Sequence, residues 1–401
     1  MWALSWHPQP RMTAQRGTPF YGRYTHDLRQ KIETPMHTIQ RVTALNLWEA
    51  IAIRIAINMT LLRVVTEAAG PLSATQISQR CHAELHFTQR LLRTLNSFGV
   101  LERSISTDGT PTYSPTSICH TFAGQTGAAS MRCWFDFFTP GFMLMPSQLK
   151  ANGHKSFNSP DDNVYSRANG QPGRTTWDVL AESPYQQDWG TLVAEYTQNH
   201  KDWLDFYPVE DHLIHGARED FDATSMVDVG GCTGSQALAF LQRFPSAPGR
   251  TIILDLPDVL PPPHARVDNL EYHPHDFFTP LPSHLDGARF YYLRYIGHDW
   301  PQGSWVKILQ NVRVAMTPGY SKLIIHDLIL PEEPSQTVAV QDLLLMGHGG
   351  GEDRDEARHR SAIEAADLRV CGIWDPRDGV SEVILECEVA EEAKDSNMNE
   401  V

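Results

Sequence analysis

The chain has 401 residues, with 33 Lys and Arg against 48 Asp and Glu, a formal net charge of −15. Hydrophobic residues make up 41% and charged residues 20%; this is ordinary globular usage and excludes a disordered chain. An acidic surface with no Lys/Arg cluster repels a phosphate backbone, so nucleic acid is not expected as a partner.

Six cysteines are scattered, at 81, 119, 133, 232, 371 and 387, without a CxxC or Cys/His cluster. Neither a disulfide framework nor a metal site is expected. The opening MWALSWHPQPRM lacks the charged start and apolar run of a secretory signal. The stretch Leu45 to Val65 is interrupted by Glu49, Arg54 and Arg63, so it falls short of the roughly 18 apolar residues of a membrane span. A cytoplasmic protein without membrane contact is the expectation.

Residues 1–41 are polar and read as an arm. Residues 42–125 read as three helices and a hairpin. Leu47, Ile51, Ile55 and Met59 recur at helical spacing, Ser73 is placed to cap a second helix, and Phe87 to Phe98 forms a third. Two short strands, Val100 to Arg103 and Thr112 to Ser114, flank Asp108-Gly109, a hairpin turn signal. Three helices and a β-wing make a winged-helix pattern. Its third helix offers only Arg90 and Arg93 beside several leucines, which argues against a DNA-reading role. The first helix has more apolar residues than one face needs, which points to a partner.

Residues 126–215 are helical and rich in aromatics. Trp134, Phe138, Phe142 and Met145 are read as the wall of a pocket for a flat, hydrophobic substrate. From 216 to 391 apolar β-branched runs alternate with helical patterns. Strands are expected at Ser225–Val229, Thr251–Asp255, Phe290–Arg294 and Leu323–Asp327, with helices near 235–243, 303–316 and 356–366. The fold class is therefore α/β, a doubly wound sheet behind a mainly α domain. Arg369–Trp374 and Glu382–Val389 are separated by a short gap holding Asp378-Gly379, the pattern of an antiparallel hairpin at one sheet edge. The charged tail, 392–401, is expected to fray.

Three motifs carry chemistry. Val227-Asp-Val-Gly-Gly-Cys-Thr-Gly234 takes a buried strand into a glycine turn and a helix. Glycine there lets backbone approach a ligand without a Cβ in the way, beside helix N–H groups. Its acid, Asp228, suits an ammonium or the turn amides better than a pyrophosphate, and the spacing is not that of a nicotinamide loop. Asp255, 21 residues after Gly234, ends the next strand, where a carboxylate can accept both ribose hydroxyls. The pair indicates an adenosine-containing ligand. The third motif, Tyr295-Ile-Gly-His-Asp-Trp-Pro301, puts His298 at the ligand-binding edge, with Asp299 and Pro301 expected to start a helix. Asp327 and Asp353 follow at matching topological places. A histidine flanked by acids keeps a fixed tautomer and a raised pKa, which suits a general base.

These pieces together resemble the caffeic-acid-type, S-adenosylmethionine-dependent O-methyltransferases, in the form common among fungal secondary-metabolite enzymes. The matching segments are Asp228-Val-Gly-Gly-Cys-Thr-Gly, Leu254-Asp-Leu-Pro, Asp276-Phe-Phe, Tyr292-Leu-Arg-Tyr-Ile-Gly-His-Asp-Trp and Asp353-Arg. The resemblance implies a Rossmann-like domain, a winged-helix segment that dimerises, and S-adenosylmethionine as cofactor. By the same resemblance Gly230, Gly231 and Gly234 line the methionine and ribose part, Asp255 holds the ribose hydroxyls, Leu256, like Asp228, is a further cofactor-binding residue, Asp276 and Phe277 meet the adenine, and Arg294 lies near the cofactor. His298 would be the base, steered by Asp327 and Asp353, for in-line methyl transfer to a hydroxyl, phenolic in kind. A phenol of pKa about 10 lies roughly 5 kcal/mol uphill of a histidine of pKa about 6.5, so the proton is expected to leave as the methyl moves.

The chain departs from the family in three places. Cys232 replaces a glycine, Asp327 and Asp353 stand where plant members often have Glu, and His273-Pro-His precedes Asp276. These departures keep open a second reading, in which bound S-adenosylmethionine serves ring-forming chemistry without methyl transfer.

Overall fold

The computed structural model describes residues 31–198, 202–220, 222–376 and 382–390. Most of the N-terminal arm, the Asp378-Gly379 turn and the tail lie outside them. No helix among the described residues is long and apolar enough to cross a membrane.

The N-terminal unit packs the helices Asn46–Asn58, Leu61–Thr66, Ala74–Arg80 and Leu85–Ser97 on a small sheet. Ser73 starts the third of these as expected: its hydroxyl accepts from the Gln76 N–H, and the Gln76 side chain accepts from the Ser73 N–H, a reciprocal cap. The wing is β2 (Leu101–Ile105) and β3 (Pro111–Pro115), with Gly109 at φ +84° in the turn. A two-residue strand, β1 (Leu72–Ser73), completes the order β1-β3-β2. Ala52, Ile53, Ala56, Leu62, Leu91, Leu92 and Leu95 form its core. Ile32, Met36, Ile39, Val42, Leu45, Leu47 and Trp48 remain exposed. Leu47 and Trp48 are part of the apolar excess of the first helix, and the rest of the row precedes it.

The larger unit is a seven-stranded sheet in the order β6-β5-β4-β7-β8-β10-β9. Its strands are β4 (Thr224–Val229), β5 (Arg250–Asp255), β6 (Glu271–Pro274), β7 (Phe290–Arg294), β8 (Lys322–Leu328), β9 (Leu368–Trp374) and β10 (Glu382–Val389). The first five run parallel, and β10 runs antiparallel to both β8 and β9. Alternate residues feed two cores. Val227, Ile252, Tyr291, Leu323 and Leu385 face one, and Met226, Ile253, Tyr292, Ile324 and Ile384 face the other. The chain leaves β4 toward β5 and later returns to β7 on its other side. That reversal opens a crevice at the carboxyl ends of the strands, where ligands bind in such sheets.

The sequence reading does not announce the helix Leu61–Thr66 or β1 in the N-terminal unit, nor one strand and one helix of the larger unit. Edge strand β6 is four residues long and ends in Pro274, so neither length nor alternation marks it. The helix Gln336–Met346, capped by the Ser335 hydroxyl, carries apolar residues with no dominant face. One expectation is also corrected: Asp299 does not cap a helix. It closes a short turn, Gly297–Asp299, and Pro301 is the residue that precedes the helix Gln302–Ala315.

Candidate active site

At the end of β4, Gly230 adopts φ +75° and Gly234 φ +82°. The N–H groups of Gly230 and Gly231 both donate to the Leu254 carbonyl, at 2.7 and 3.2 Å. A Cβ on Gly230 would lie 2.5 Å from Ile296 Cδ1, and one on Gly231 would lie 2.6 Å from the Asp228 carboxyl carbon. The turn therefore needs bare backbone. Cys232 follows at φ +52°, and its thiol is pushed up to about 11 by burial and by Asp255, so it stays neutral.

Asp228 is buried, and its Oδ2 has no hydrogen-bond partner among the described residues. The Gly230 and Gly231 amides are taken by the Leu254 carbonyl and the Cys232 amide by Asp255, not by this carboxylate. Burial and the nearby Asp255 raise Asp228 to about 7, against the opposing charge of Arg294. Asp255 accepts from the Cys232 N–H at 2.8 Å and the Leu256 N–H at 2.7 Å. Leu256 itself is exposed. Asp276 caps the next turn through the Phe278 N–H at 2.9 Å, and Phe277 packs edge-on against Trp300. Arg294 pairs with Glu382 at 3.3 Å and lies over the Tyr295 ring.

His298 sits past the end of β7. Tyr295, at φ +53°, turns the chain there, and its N–H donates to the His326 carbonyl. The Tyr295 ring then lies 5.1 Å from the His298 ring. Among the described residues three carboxylates surround the imidazole. Asp327 and Asp353 stand 3.7 and 3.6 Å from Nδ1, and Asp299 stands 3.6 Å from Nε2. These are ion-pair distances, longer than hydrogen bonds. Burial opposes protonation of His298, but the three carboxylates outweigh it and raise the ring to about 9. Asp299 is itself raised, by burial first, with His298 opposing.

Arg354 holds this turn in place. It is buried and donates to the carbonyls of Gly297 and Trp300, at 2.6 and 2.7 Å, and to the Gln302 side chain at 2.9 Å. The Glu352 N–H donates to the His298 carbonyl. Asp353 is fixed by Gln341, and its N–H donates to Asp342.

Next to this cluster is an aromatic one. Cys133–Phe138 is a π-helical stretch inserted in the helical run from 125 to 151; such insertions redirect side chains and recur at functional sites. Trp134, Phe142 and Met145 are partly buried there. Phe138 is 0% exposed and packs on Trp134, Tyr165, Trp189 and His348, so it backs the wall from within.

Three residues of this region have no site role in the sequence reading: Asp299, expected there only to start a helix, Arg354, present only in the matching Asp353-Arg segment, and His348. Asp299 adjoins His298 in sequence, so its nearness was available, but the helix-cap reading competed with it. Arg354 belongs to a segment that carries the family resemblance, but its contacts, like those of His348, are made far along the chain.

The chain matches the O-methyltransferase domain family over residues 163–369 and the O-methyltransferase dimerisation domain family over 43–125. It is 30% identical to the O-methyltransferase asqD of Emericella nidulans over 339 residues, 84% of this chain and 86% of that protein. It is 30% identical to the demethylsterigmatocystin 6-O-methyltransferase of Aspergillus parasiticus over 320 residues, 79% of each chain. Among solved structures, one described as a pericyclic reaction enzyme superposes with a TM-score of 0.80 at 25% identity, over 91% of this chain and 92% of that one. OxaC in complex with sinefungin and meleagrin gives a TM-score of 0.79 at 23% identity, over 92% and 91%, a likeness of fold.

Proposed function

Because this chain belongs to the S-adenosylmethionine-dependent O-methyltransferase family of fungal secondary-metabolite enzymes, we propose that it methylates a phenolic hydroxyl of a flat, hydrophobic small molecule, with His298 as the general base. The observation that carries this reading is the seat of His298: an imidazole ringed by Asp299, Asp327 and Asp353 just past the carboxyl end of β7.

When bound, S-adenosylmethionine supplies a methyl group on a cationic sulfur. The residues present fit it. Asp228 keeps a buried oxygen without a partner, which matches an ammonium. Gly230, Gly231 and Gly234 leave backbone bare along the turn. Asp255 would hold the ribose hydroxyls with Leu256 as a further cofactor contact, Asp276 and Phe277 would meet the adenine, and Arg294 would lie near the cofactor.

His298 receives the acceptor's proton. Its pKa of about 9 lies within roughly one unit of a phenol, so the transfer itself is uphill by only about 1–2 kcal/mol. The roughly 5 kcal/mol expected for an ordinary histidine is thereby reduced. The same carboxylates keep the ring largely protonated at neutral pH, so the base form is scarce there and increases with pH. Trp134, Phe142 and Met145, backed by Phe138, are read as the wall that presses the acceptor in place; orientation of this kind can supply about 7–11 kcal/mol. The exposed apolar row from Ile32 to Trp48, with the dimerisation-domain match, supports a homodimer.

A second reading retains the cofactor but drops methyl transfer. Two observations favour it: the likeness to the pericyclic reaction enzyme, and an imidazole poised as a cation instead of a free base. One experiment separates the two. The purified protein is incubated with S-adenosylmethionine and a phenolic fungal extract, and S-adenosylhomocysteine is followed with the product mass. Methyl transfer yields both a methylated phenol and S-adenosylhomocysteine, and His298→Ala lowers the rate by about 10²–10⁴. Undiminished transfer in that variant would refute His298 as the base. A rearranged product without S-adenosylhomocysteine would establish the second reading.

A further inference from the structure

His348 stands apart from the three-acid cluster and plays no part in the proton transfer above. It is 4% exposed. Its ring stacks on Trp177, with centroids 5.0 Å and planes 19° apart, and meets Tyr165 at 4.7 Å and Phe138 at 5.9 Å. Within this cage Nδ1 is enclosed and has no hydrogen-bond partner among the described residues. His326 Nε2 and His359 Nδ1 are enclosed in the same way, but each of those rings engages its other nitrogen. His326 Nδ1 is 2.7 Å from the Tyr292 hydroxyl, and His359 Nε2 is 3.0 Å from the Leu328 carbonyl. A polar atom sealed among aromatic rings without a partner is costly, and a ligand would supply that partner.

The backbone is built to hold the ring there. Gly349 and Gly350 adopt φ +99° and +102°, and a Cβ on either would lie 2.2 and 2.3 Å from the carbonyl oxygens of Ser159 and Phe157. A Cβ on Gly347 would lie 2.7 Å from the Tyr165 hydroxyl, and one on Gly351 2.6 Å from the His298 carbonyl. The loop therefore threads between the aromatic segment and the His298 turn, and carries His348 on one side and Asp353 on the other. Burial, with the charge of His298 adding to it, lowers His348 to about 3. The imidazole is neutral at any working pH, with one N–H donor and one lone pair. Stacking on Trp177 fixes the plane in which both point.

We propose that His348 is the specificity-determining residue of the acceptor pocket, hydrogen-bonding a second oxygen, carbonyl or hydroxyl, of a flat aromatic molecule whose reacting hydroxyl faces His298. This rests on reading the aromatic segment as that pocket.

The test compares 1-hydroxyanthraquinone with 1-anthrol, which shares the three-ring skeleton and the hydroxyl but lacks the quinone oxygens. Each is titrated into the S-adenosylhomocysteine-loaded full chain and followed by tryptophan quenching. The wild type is expected to prefer the quinone by about tenfold, the worth of one hydrogen bond in a water-poor site. His348→Phe fills the cage without donor or acceptor and erases the preference, leaving 1-anthrol affinity within about twofold. His348→Asn, which retains an amide donor and acceptor, keeps part of it. The proposal is overturned if the wild type binds neither probe or shows no preference, if His348→Phe keeps the preference, or if that variant loses both probes equally, as a purely structural ring would. Turnover with S-adenosylmethionine is read separately. If the preference behaves as expected but no S-adenosylhomocysteine accumulates, methyl transfer fails and the His348 assignment stands. If it accumulates with the preference unmoved by His348→Phe, the reverse holds.

Discussion

Replacing Asp327 or Asp353 by asparagine tests the electrostatics of the site most directly. The three carboxylates lie at nearly equal distances from the imidazole, 3.6 to 3.7 Å. Together they overcome burial and raise it from 6.5 to about 9. Because burial opposes them, the acids together supply more than this net rise, so the mean worth of one is at least about one pH unit, roughly 1 kcal/mol or more. Removing one charge disfavours the imidazolium, so the His298 pKa falls by roughly one unit in either variant. The base form then becomes about tenfold more abundant at pH 7. The rising limb of kcat/KM against pH, expected near pH 9 in the wild type, moves down by the same amount. Its plateau falls, because the charge formed during transfer loses a stabilising partner. The ring can be followed without any substrate by NMR titration of ¹³C-labelled histidine, with His298→Asn assigning the resonance. A His298 pKa near 6.5 in the wild type, or one that neither substitution moves, would refute the reasoning.

Other predictions concern the cofactor turn and the clamp on the base. Asp228→Asn should weaken S-adenosylmethionine binding by about tenfold, the scale of one charge-assisted hydrogen bond, measured by calorimetry. Since Asp228 is held up to about 7, wild-type affinity should rise as pH climbs through that value and the carboxylate ionises; the Asn variant should lose this dependence. Gly231→Ala places a Cβ 2.6 Å from the Asp228 carboxyl carbon, so the same calorimetry should show weaker binding with a lowered thermal midpoint. Arg354→Lys gives up the fork that spans Gly297, Trp300 and Gln302. Denaturant unfolding should register a loss of about 2–3 kcal/mol, and kcat should fall more than cofactor affinity.

The sequence carried most of the sheet because its strands are buried on both faces and read as unbroken β-branched and aromatic runs, as in Phe290-Tyr-Tyr-Leu-Arg294. It carried the β9–β10 hairpin because the gap between the two runs is too short for a crossover helix. It did not carry β6, an edge strand of four residues, because an edge strand needs no continuous apolar run. The distinction extends to the site. Gly230 and Gly234 were legible because a left-handed backbone position selects glycine locally. Asp299 was misread because Asp followed by Trp-Pro is also how many helices begin, and only the 3.6 Å approach to His298 Nε2 decides between the two. The direction of Asp228 was half legible. Its acid character points to an ammonium or to the turn amides, and only the structure, by giving those amides to Leu254 and Asp255, removes the second.

What sequence could not reveal is the mechanical tie between base and pocket. The segment from Gly347 to Arg354 approaches the aromatic cage through bare glycines, passes His298 at Gly351, presents Asp353 to the imidazole and ends in the Arg354 fork on the same turn. None of these contacts is local, and each requires a particular residue type for a different reason: no side chain, a charge, or a planar donor. A shift in this segment changes the pKa of His298 and the seat of His348 together. Acceptor fit and base strength are coupled in this chain through one stretch of eight residues. Arg354→Lys should therefore disturb the pH profile of kcat/KM as well as the preference between oxygenated and plain aromatic probes, whereas Asp327→Asn, which lies on β8 outside that stretch, should move the first and leave the second unchanged.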